Sequence, residues 1–196
     1  MKPYSESCEQ NRLPIFEIIE PILKPCQSVL EIGSGTGQHA VYFAKDLPHL
    51  IWHTSDVKHN HLGINLWVEE AQLDNVRSPI ELDTQHSTWP DLDVDAVYSA
   101  NTVHIMHQAD VDALFDGVGR LLSVDGKFIL YGPFNYEGTY NSESNKSFDQ
   151  WLKARDSLSG IKHFEALVEL AEKVGLELVE DYEMPANNRI LYWKKI

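Results

Sequence analysis

The residues best suited to chemistry in this sequence are three alternating glycines in the segment GSGTG, residues 33–37. Glycines at this spacing favour a tight turn that a ligand can approach closely, with backbone N–H groups facing it. The apolar run before them, residues 29–32, suits a buried parallel strand, and the residues from Gln38 onward can begin a helix. This order is typical of a nucleotide-cofactor loop, although such glycines can also serve a tight turn alone.

The position of Gln38 indicates which cofactor this glycine loop, residues 33–37, would bind. Gln38 stands where the dinucleotide fingerprint Gly-x-Gly-x-x-Gly has its third glycine, which weakens the case for NAD. S-adenosylmethionine has no phosphate to cradle, so its amino acid and ribose need only lie against the backbone. Carboxylates would hold its hydroxyl and ammonium groups, and Glu31 in the preceding strand is the first of them. We therefore expect this cofactor, with S-adenosylhomocysteine as its product.

Further polar residues stand where later strands are expected to end, which is the edge at which open α/β sheets bind ligands. Asp56 follows the glycine loop by about 20 residues, the offset at which an acid takes ribose hydroxyls. Asp83 could accept from the adenine amine, and Asn101 would lie under the methionine end. Either acid could instead cap a helix or occupy a solvated turn. The predicted cofactor-binding residues are Glu31, Gly33, Ser34, Gly35, Gly37, Asp56, Asp83 and Asn101.

His104 is the best-placed candidate for a general base. Methyl transfer from a sulfonium mainly requires alignment of donor and acceptor, and a base helps only if the acceptor must lose a proton. His104 follows the fourth predicted strand and can take that role. His104 and His107 are one helical turn apart, but the sequence offers no third ligand nearby, so we expect no metal site.

Alternating strand and helix patterns position these residues. A helical pattern over residues 12–25 comes first, and Pro21 is expected to kink or split it. An aromatic and polar stretch, residues 135–147, has no clear period and is interpreted as an active-site loop. The further predicted helices are 38–46, 62–72, 111–122, 148–156 and 163–175, and the predicted strands are 28–32, 51–55, 79–82, 96–99, 127–134, 175–184 and 188–195.

The last two strands have no helix between them, so they must form an antiparallel pair. Repeated βα units imply a mostly parallel sheet that is covered on both faces. The predicted fold is therefore α/β and Rossmann-like, with a seven-stranded, mostly parallel sheet and an antiparallel terminal strand, as in class I methyltransferases. No linker-like segment divides the sequence, so we expect residues 1–196 to form a single domain.

Composition and charge restrict the partners. The formal net charge is −14 and no basic cluster is visible, which disfavours nucleic acid and anionic membranes and leaves a small molecule or a protein as acceptor. The sequence has no apolar run of about 20 residues and no apolar leader, so a cytoplasmic location is expected. Two isolated cysteines, Cys8 and Cys26, are expected to be free thiols. The oligomeric state stays open.

Longer motifs extend these observations over most of the chain. The segments EQNRLPI, VLEIGSGTGQHA, SANTVHI, YGPFNY, SESNKSFDQWLKARD, GIKHFEAL and MPANN together run from residue 9 to residue 188. The sequence resembles a family of uncharacterised class I methyltransferase-like proteins that is classified as a domain of unknown function. SESNKSFDQWLKARD and MPANN are the unusual segments that point to this family, whereas the glycine loop is shared widely.

The resemblance implies a methyltransferase fold that binds S-adenosylmethionine, with no indication of the substrate. It also implies a set of residues on the acceptor side, without individual roles: Asn11, Arg12, Asn101, His104, Asn135, Tyr136, Asn187 and Asn188. The leading hypothesis is a methyltransferase acting on a small-molecule or protein acceptor. The alternatives are a non-catalytic S-adenosylmethionine-binding sensor or partner protein and, with less support, an NAD-dependent oxidoreductase.

Overall fold

A computed structural model describes residues 2–196 and has an α/β architecture. Two short 3-10 segments, Lys58–Asn60 and Pro185–Asn187, join longer elements. The helices are α1 (Glu6–Leu23), α2 (Gln38–Asp46), α3 (His61–Ala71), α4 (Gln108–Leu121), α5 (Glu143–Arg155) and α6 (Phe164–Lys173). The strands are β1 (Ser28–Ile32), β2 (Ile51–Asp56), β3 (Val76–Glu81), β4 (Ala96–Ala100), β5 (Lys127–Gly132), β6 (Phe134–Asn135), β7 (Lys162–His163), β8 (Leu176–Met184) and β9 (Asn188–Lys195).

Within the described residues, seven of the strands form one sheet in the order β3-β2-β1-β4-β5-β9-β8. β1 pairs in parallel with β2 and β4, and β2 pairs in parallel with β3. β9 is antiparallel to both of its neighbours, β5 and β8. These pairings confirm the predicted fold: a mostly parallel, seven-stranded sheet with one antiparallel strand, contributed by the terminal hairpin.

The chain divides into two compact units, one ending at Ser99 and the other beginning at Ala100. The first unit is built around β1, which is buried from Val29 to Ile32 because a parallel strand is covered on both faces. Its core is aromatic: the ring of Phe43 on α2 lies 5.6 Å from Trp52 and 5.8 Å from Tyr98, both on neighbouring strands. Such rings bury large apolar areas and hold α2 against the sheet. The single-domain interpretation stays a prediction.

The second unit has a core of its own between α4 and the antiparallel strands. Phe115 on α4 packs edge-on against Phe128 of β5 and Trp193 of β9, at ring distances of 5.4 and 5.8 Å. The rings of Phe128 and Trp193 stack at 5.3 Å across a registered pair of residues. The terminal hairpin is therefore fixed by aromatic packing as well as by backbone hydrogen bonds.

Several predicted boundaries are wrong. α1 is one unbroken helix that contains Pro14 and Pro21, so Pro21 does not split it. β3 begins at Val76, three residues before its predicted start, since its exposed Arg77 and Ser78 break the apolar pattern. α5 begins at Glu143 instead of residue 148, because Ser142 caps it by accepting a hydrogen bond from the Asn145 N–H.

The predicted loop 135–147 is consequently shorter, and part of it is strand. Phe134 and Asn135 pair in parallel with Lys162 and His163, which forms a small second sheet that the sequence analysis did not foresee. Among residues 2–196, no helix is long and apolar enough to cross a membrane. Both cysteines, Cys8 and Cys26, are free thiols, as predicted.

Candidate functional site

The glycine loop turns sharply from β1 into α2. Gly33, Gly35 and Gly37 all have positive φ values, of 74°, 58° and 90°, which side chains other than glycine rarely adopt. The N–H groups of Gly33 and Ser34 both donate to the carbonyl of Ser55 at the end of β2, at 3.0 and 2.9 Å. The loop is thus held on the carboxyl ends of two adjacent parallel strands, the position at which such sheets bind ligands.

Gly35 and Gly37 have different surroundings. A Cβ atom on Gly37 would lie 3.2 Å from the backbone of Ile64, so this glycine permits close packing of the loop on α3. A Cβ atom on Gly35 would meet nothing within 4 Å. The backbone at Gly35 therefore borders open space, as a cradle for a ligand requires.

The Asp56 carboxylate lies beside this open space. Its Oδ2 accepts a hydrogen bond from the Gly35 N–H at 2.7 Å, while Oδ1 accepts from the Val57 N–H at 2.7 Å and the Asn60 amide at 2.8 Å. Asp56 is 7% exposed. A carboxylate oxygen has two lone pairs, so one that already accepts a single N–H can still accept from a hydroxyl. Asp56 is thus fixed in orientation, while its Oδ2 can still accept from one hydroxyl group.

Glu31 on β1 is the second acid of this region and is 2% exposed. The indole N–H of Trp52 donates to its Oε2 at 3.1 Å. Burial raises the pKa of the Glu31 carboxyl to about 7, against the opposing hydrogen bonds from Trp52 and Ser34. A positively charged group that approached Glu31 would favour its ionised form.

Gln38 has a role that the sequence analysis missed. Its amide joins the glycine loop to the N-terminal segment: Oε1 accepts from the Ser5 N–H at 2.6 Å, and Nε2 donates to the Ser5 carbonyl at 3.3 Å. The Trp67 indole holds the same segment by donating to the Pro3 carbonyl at 2.7 Å. Gln38 thus fixes the chain start beside the loop, where a third glycine would leave this bond unmade.

Asn11 and Arg12, predicted on the acceptor side, contact other side chains of the first unit. Asn11 Oδ1 lies 2.7 Å from Nε2 of His39, a buried residue whose pKa is lowered by burial to about 4, so its ring is neutral near pH 7. Arg12 forms an ion pair with Glu9 and lies over the Tyr42 ring, 4.4 Å from its centroid. These contacts give both residues structural partners.

Asp83 lies one residue beyond Leu82, whose N–H donates to the Asp56 carbonyl. Its Oδ1 accepts from the N–H groups of Gln85 and His86, both at 3.2 Å, and lies 3.1 Å from the His86 ring. Burial alone would raise the pKa of Asp83, but these hydrogen bonds lower it. Asp83 thus caps a turn, the alternative considered for it from the sequence.

His104 is a deeply buried polar side chain of the second unit. Its ring is 6% exposed and packs edge-on against Phe148 of α5 at 5.2 Å. Burial, with a smaller contribution from the Lys162 ammonium, lowers the pKa of His104 to about 4. Among the described residues, nothing forms a hydrogen bond with its Nδ1. His104 therefore presents a neutral ring with an unfilled nitrogen.

Asn135 is similar. It is 4% exposed, and its Oδ1 is also without a hydrogen-bond partner within residues 2–196. Asn101 follows β4 in a left-handed conformation, with φ of 58°, and its N–H donates to the Tyr131 carbonyl at 2.9 Å. Asparagine tolerates this conformation better than most residues, so the tight exit from β4 explains its presence there.

The remaining predicted acceptor-side residues are engaged within the protein. The Tyr136 hydroxyl donates to Asp181 at 2.9 Å, and burial followed by this bond raises the pKa of Tyr136. Asn187 joins the hairpin turn to α5, because its carbonyl accepts from the Asn145 amide at 3.0 Å. Asn188 donates to the Pro185 carbonyl at 3.1 Å, inside its own turn.

The cavity found in the second unit does not coincide with the predicted site. A cavity of about 360 Å³ in the second unit is bordered by Lys153, Gly160 and Lys162, and none of the predicted residues lines it. In the part of the chain that the structure describes, no group of three His, Cys, Asp or Glu side chains is arranged to hold a metal ion.

The residues of the first unit fit S-adenosylmethionine. The space beside Gly35 admits a ligand against the backbone, Asp56 is oriented to accept hydroxyl groups, and Glu31 can meet a positive charge. The chain has a Rossmann-like fold, with an open backbone turn at the carboxyl ends of β1 and β2. The chain belongs to the family described as "Protein of unknown function (DUF938)", which matches residues 2–195.

Solved structures of methyltransferases are similar to this chain. An O-methyltransferase family protein from Burkholderia thailandensis is 10% identical, with a TM-score of 0.78 over 94% of this chain and 58% of that one. Human N-acetylserotonin methyltransferase in complex with SAM is 13% identical, with a TM-score of 0.78 over 97% of this chain and 53% of that one. PigF with SAH is 12% identical, with a TM-score of 0.82 over 95% of this chain and 56% of that one. This chain spans a little over half of each, and at such identities the likeness shows the fold.

Proposed function

We propose that this protein is an S-adenosylmethionine-dependent methyltransferase that acts on a small-molecule or protein acceptor. The observation that carries the proposal is the glycine loop: an open backbone at Gly35 with the Asp56 carboxylate bonded alongside it. Similarity of fold to methyltransferases solved with SAM or SAH supports the same cofactor. We further propose that the protein resembles methyltransferase-like protein 26, that it is located in the cytoplasm, and that its net charge of −14 disfavours nucleic acid as a partner.

In the proposed complex, the residues of the first unit bind and orient the cofactor. Asp56 accepts a ribose hydroxyl at Oδ2, and the N–H that it receives from Gly35 keeps its carboxylate turned toward the loop. Glu31 attracts the positively charged amino group of the cofactor, and Ser34, Gly33 and Gly37 shape the loop around it. The bound cofactor supplies an activated methyl group, so the protein needs no nucleophile of its own.

His104 is proposed as the base that takes a proton from the acceptor. Its neutral ring and unfilled Nδ1 suit a hydrogen-bond acceptor near pH 7. Asp83 and Asn101 are proposed to contribute to cofactor binding with lesser effect, since both already have partners in turns. Asn11, Arg12, Tyr136, Asn187 and Asn188 remain proposed acceptor-side residues.

Isothermal titration calorimetry with S-adenosylmethionine, S-adenosylhomocysteine and NAD tests the cofactor. We expect binding of the first two and none of NAD. A ligand that binds only the native state also raises the melting temperature, which gives a second readout on the same samples. Absence of binding by both sulfur compounds would overturn the proposal, and binding of NAD alone would favour an oxidoreductase.

Two glycine substitutions provide a matched comparison. Gly35→Ala places a methyl group into the open space beside the loop, whereas Gly138→Ala does so in a turn of the second unit. Both glycines have positive φ, of 58° and 72°, and neither Cβ position has an atom within 4 Å, so both variants carry similar backbone strain. We expect only Gly35→Ala to weaken cofactor binding, by at least about tenfold, as for loss of one good contact. Equal affinities in the two variants would contradict the assigned cradle.

A further inference from the structure

Two buried polar groups of the second unit need a partner that the described protein does not supply. His104 Nδ1 and Asn135 Oδ1 belong to side chains that are 6% and 4% exposed, and neither atom has a hydrogen-bond partner among residues 2–196. Leaving such a group unsatisfied costs about 1–3 kcal/mol, so proteins retain few of them. The second unit has a third such atom, Trp193 Nε1, but that indole lies in the aromatic core with Phe115 and Phe128. The other two both follow sheet strands at their carboxyl ends, which indicates a site that a ligand completes.

The backbones of His104 and Asn135 contact the same short segment, residues 160–163. The Gly160 N–H donates to the His104 carbonyl at 2.9 Å, and Asn135 pairs with His163 in the small sheet. Lys162 lies between these contacts, and its ammonium donates to the Met106 and Gly160 carbonyls at 2.8 and 3.0 Å. The segment thus holds the two polar groups in one region of the unit.

Gly132 lies beside the His104 ring. A Cβ atom on Gly132 would lie 3.8 Å from His104 Nδ1 and 3.9 Å from the Phe134 ring, with nothing closer. Those distances are ordinary van der Waals contacts, so a methyl group at position 132 would lie against the unfilled nitrogen without a clash. A methyl group at position 132 would therefore cover the side of Nδ1 that a ligand atom would approach.

We propose that His104 and Asn135 bind the methyl acceptor and that this acceptor is a neutral small molecule presenting hydroxyl groups to them. The inference rests on the proposed function, and it adds the substrate class and the role of Asn135. Asn135 Oδ1 can only accept, so the ligand must donate to it. The oxygens of a ligand carboxylate would be repelled by the partly negative Asn135 Oδ1, whereas a ligand hydroxyl can donate a hydrogen bond to it.

Two observations favour a hydroxyl over an alkylamine. The Lys162 ammonium lies close enough to lower the pKa of His104, and it would repel a cationic ligand in the same way. An alkylamine must also lose a proton before it can attack, and a histidine with a pKa of about 4 is too weak a base to remove it. A hydroxyl oxygen keeps a free lone pair while its proton points at Nδ1.

The transfer step then balances. The acceptor oxygen forms a bond to the methyl carbon as the carbon–sulfur bond breaks, and the bonding pair stays on sulfur, which becomes a neutral thioether. The hydroxyl proton passes to His104 Nδ1 and from there to solvent. His104 can accept this proton despite its low pKa, since a methylated oxygen that still carries its proton is far more acidic than an imidazolium.

Nuclear magnetic resonance of the ¹⁵N-histidine-labelled full-length protein, with and without S-adenosylhomocysteine, tests this site. The probes are phenol, catechol and resorcinol at millimolar concentration, with benzylamine and benzoate as charged comparisons and 1,2-dimethoxybenzene as a comparison without donors. We expect the three hydroxyl probes to shift the Nδ1 resonance of His104 and the other probes to leave it unchanged. Calorimetry of S-adenosylhomocysteine binding is run on the same samples.

Two variants separate a ligand site from a merely buried pair. Gly132→Ala places a methyl group against Nδ1 without a steric clash, and Asn135→Leu replaces the unfilled oxygen by an apolar group of similar size. We expect each to weaken probe binding by at least about tenfold, as for one lost hydrogen bond in a dry site, and to leave S-adenosylhomocysteine affinity unchanged.

The outcomes distinguish this inference from the proposed function. Hydroxyl-specific shifts that both variants abolish support the inference. Absence of shifts from all three hydroxyl probes, shifts from benzylamine or benzoate instead, or shifts that persist in both variants would overturn it. Failure of S-adenosylhomocysteine to bind would overturn the proposed function. The spectra recorded with the probes but without S-adenosylhomocysteine would still decide whether His104 and Asn135 bind hydroxyl groups.

Discussion

The two units treat their buried polar side chains differently. In the first unit, Glu31 and Asp56 are held by protein donors: the Trp52 indole for one and the Gly35 N–H for the other. In the second unit, His104 and Asn135 are as deeply buried, but Nδ1 and Oδ1 have no partner among residues 2–196. One region is complete before a ligand arrives, and the other is not.

This difference indicates two binding modes. Preformed hydrogen bonds fix the carboxylates of the first unit, so a cofactor would bind there with little reorganisation of the protein. The unfilled atoms of the second unit raise the energy of the free protein, and a ligand that satisfies them gains that amount on binding. Such a site rejects molecules without the matching donors. Cofactor binding should therefore depend on charge, and acceptor binding on hydrogen bonds.

The largest effect is expected from Asp56→Ala. The substitution removes the proposed ribose acceptor and leaves the Gly35 N–H without its partner. Hydrogen bonds to charged groups contribute about 1.5–3 kcal/mol each, so the affinity for S-adenosylmethionine should fall by about 100-fold or more. Isothermal titration calorimetry measures the change.

Asp95→Ala is the matched control for this variant. Asp95 also caps backbone groups of the first unit, accepting from the Gln27 and Ser28 N–H groups at 2.6 and 3.1 Å, but it does so at the beginning of β1. It should lower the melting temperature while cofactor affinity stays within a factor of about two, since it lies at the opposite end of the strand. A similar loss of affinity in both variants would mean that Asp56 acts through folding alone.

The next effect concerns the pH dependence of stability in the second unit. The pKa of His104 is about 4 in the folded protein and 6.5 ordinarily, so between these values the unfolded chain binds more protons. The free energy of unfolding should then fall as pH decreases from 6.5 to 4. His104→Gln should reduce this fall by as much as about 3 kcal/mol, at about 1.4 kcal/mol per pKa unit.

Urea unfolding at several pH values measures the difference between His104→Gln and the unchanged protein. The difference is the useful quantity, because other groups titrate in the same range. Burial also lowers the pKa of His39, which likewise reduces the free energy of unfolding as pH decreases. The raised pKa of Glu31 has the opposite effect, because the folded state then binds more protons than the unfolded chain between pH 4.5 and 7. Parallel curves for the two proteins would show that His104 is not buried as a neutral ring.

The sequence was sufficient for most of the fold because hydrophobic period and turn residues are local signals. β1, α2 and β9 match their predicted bounds, and the terminal hairpin follows from the absence of a helix between its strands. The start of α5 was missed because it depends on a cap: Ser142 accepts from the Asn145 N–H in a polar stretch without apolar period. The small sheet of β6 and β7 joins residues far apart in sequence, and no local pattern predicts such a pair.

The candidate site was less accessible to sequence reasoning, since partners of polar side chains are set by tertiary contacts. The glycine spacing indicated a tight turn, and the structure has such a turn, with positive φ at Gly33, Gly35 and Gly37. Nothing in the sequence shows that Gln38 binds the backbone of Ser5. Nor does it show which predicted polar residues are already engaged: Asn135 and Tyr136 are adjacent, yet only Tyr136 has its polar atom bonded within the described protein.

A smaller effect is expected from the titration of Glu31. Its pKa of about 7 means that the carboxyl is mostly protonated at pH 6 and mostly ionised at pH 8. If its ionised form attracts the amino group of S-adenosylmethionine, affinity should rise by about tenfold over this range, and binding at pH 6 should release a proton. Calorimetry in buffers of different ionisation enthalpy measures both. In Glu31→Gln the proton release should disappear, and its persistence would assign the titration to another group.

The smallest effect is expected from Tyr136→Phe. This variant tests whether hydrogen-bonded polar groups of the second unit contribute more to the free energy of unfolding than polar groups without a partner. The Tyr136 hydroxyl donates to Asp181 at 2.9 Å, so its removal should lower the free energy of unfolding by about 1 kcal/mol. Asn135→Leu, at the adjacent position, removes an oxygen that has no partner in the described structure, and it should leave stability unchanged or raise it. Urea unfolding compares the two variants directly. Equal losses of stability in the two variants would mean that Asn135 has a hydrogen-bond partner within the protein. The buried polar groups of the second unit would then be satisfied without a ligand, and the two units would no longer differ in this respect.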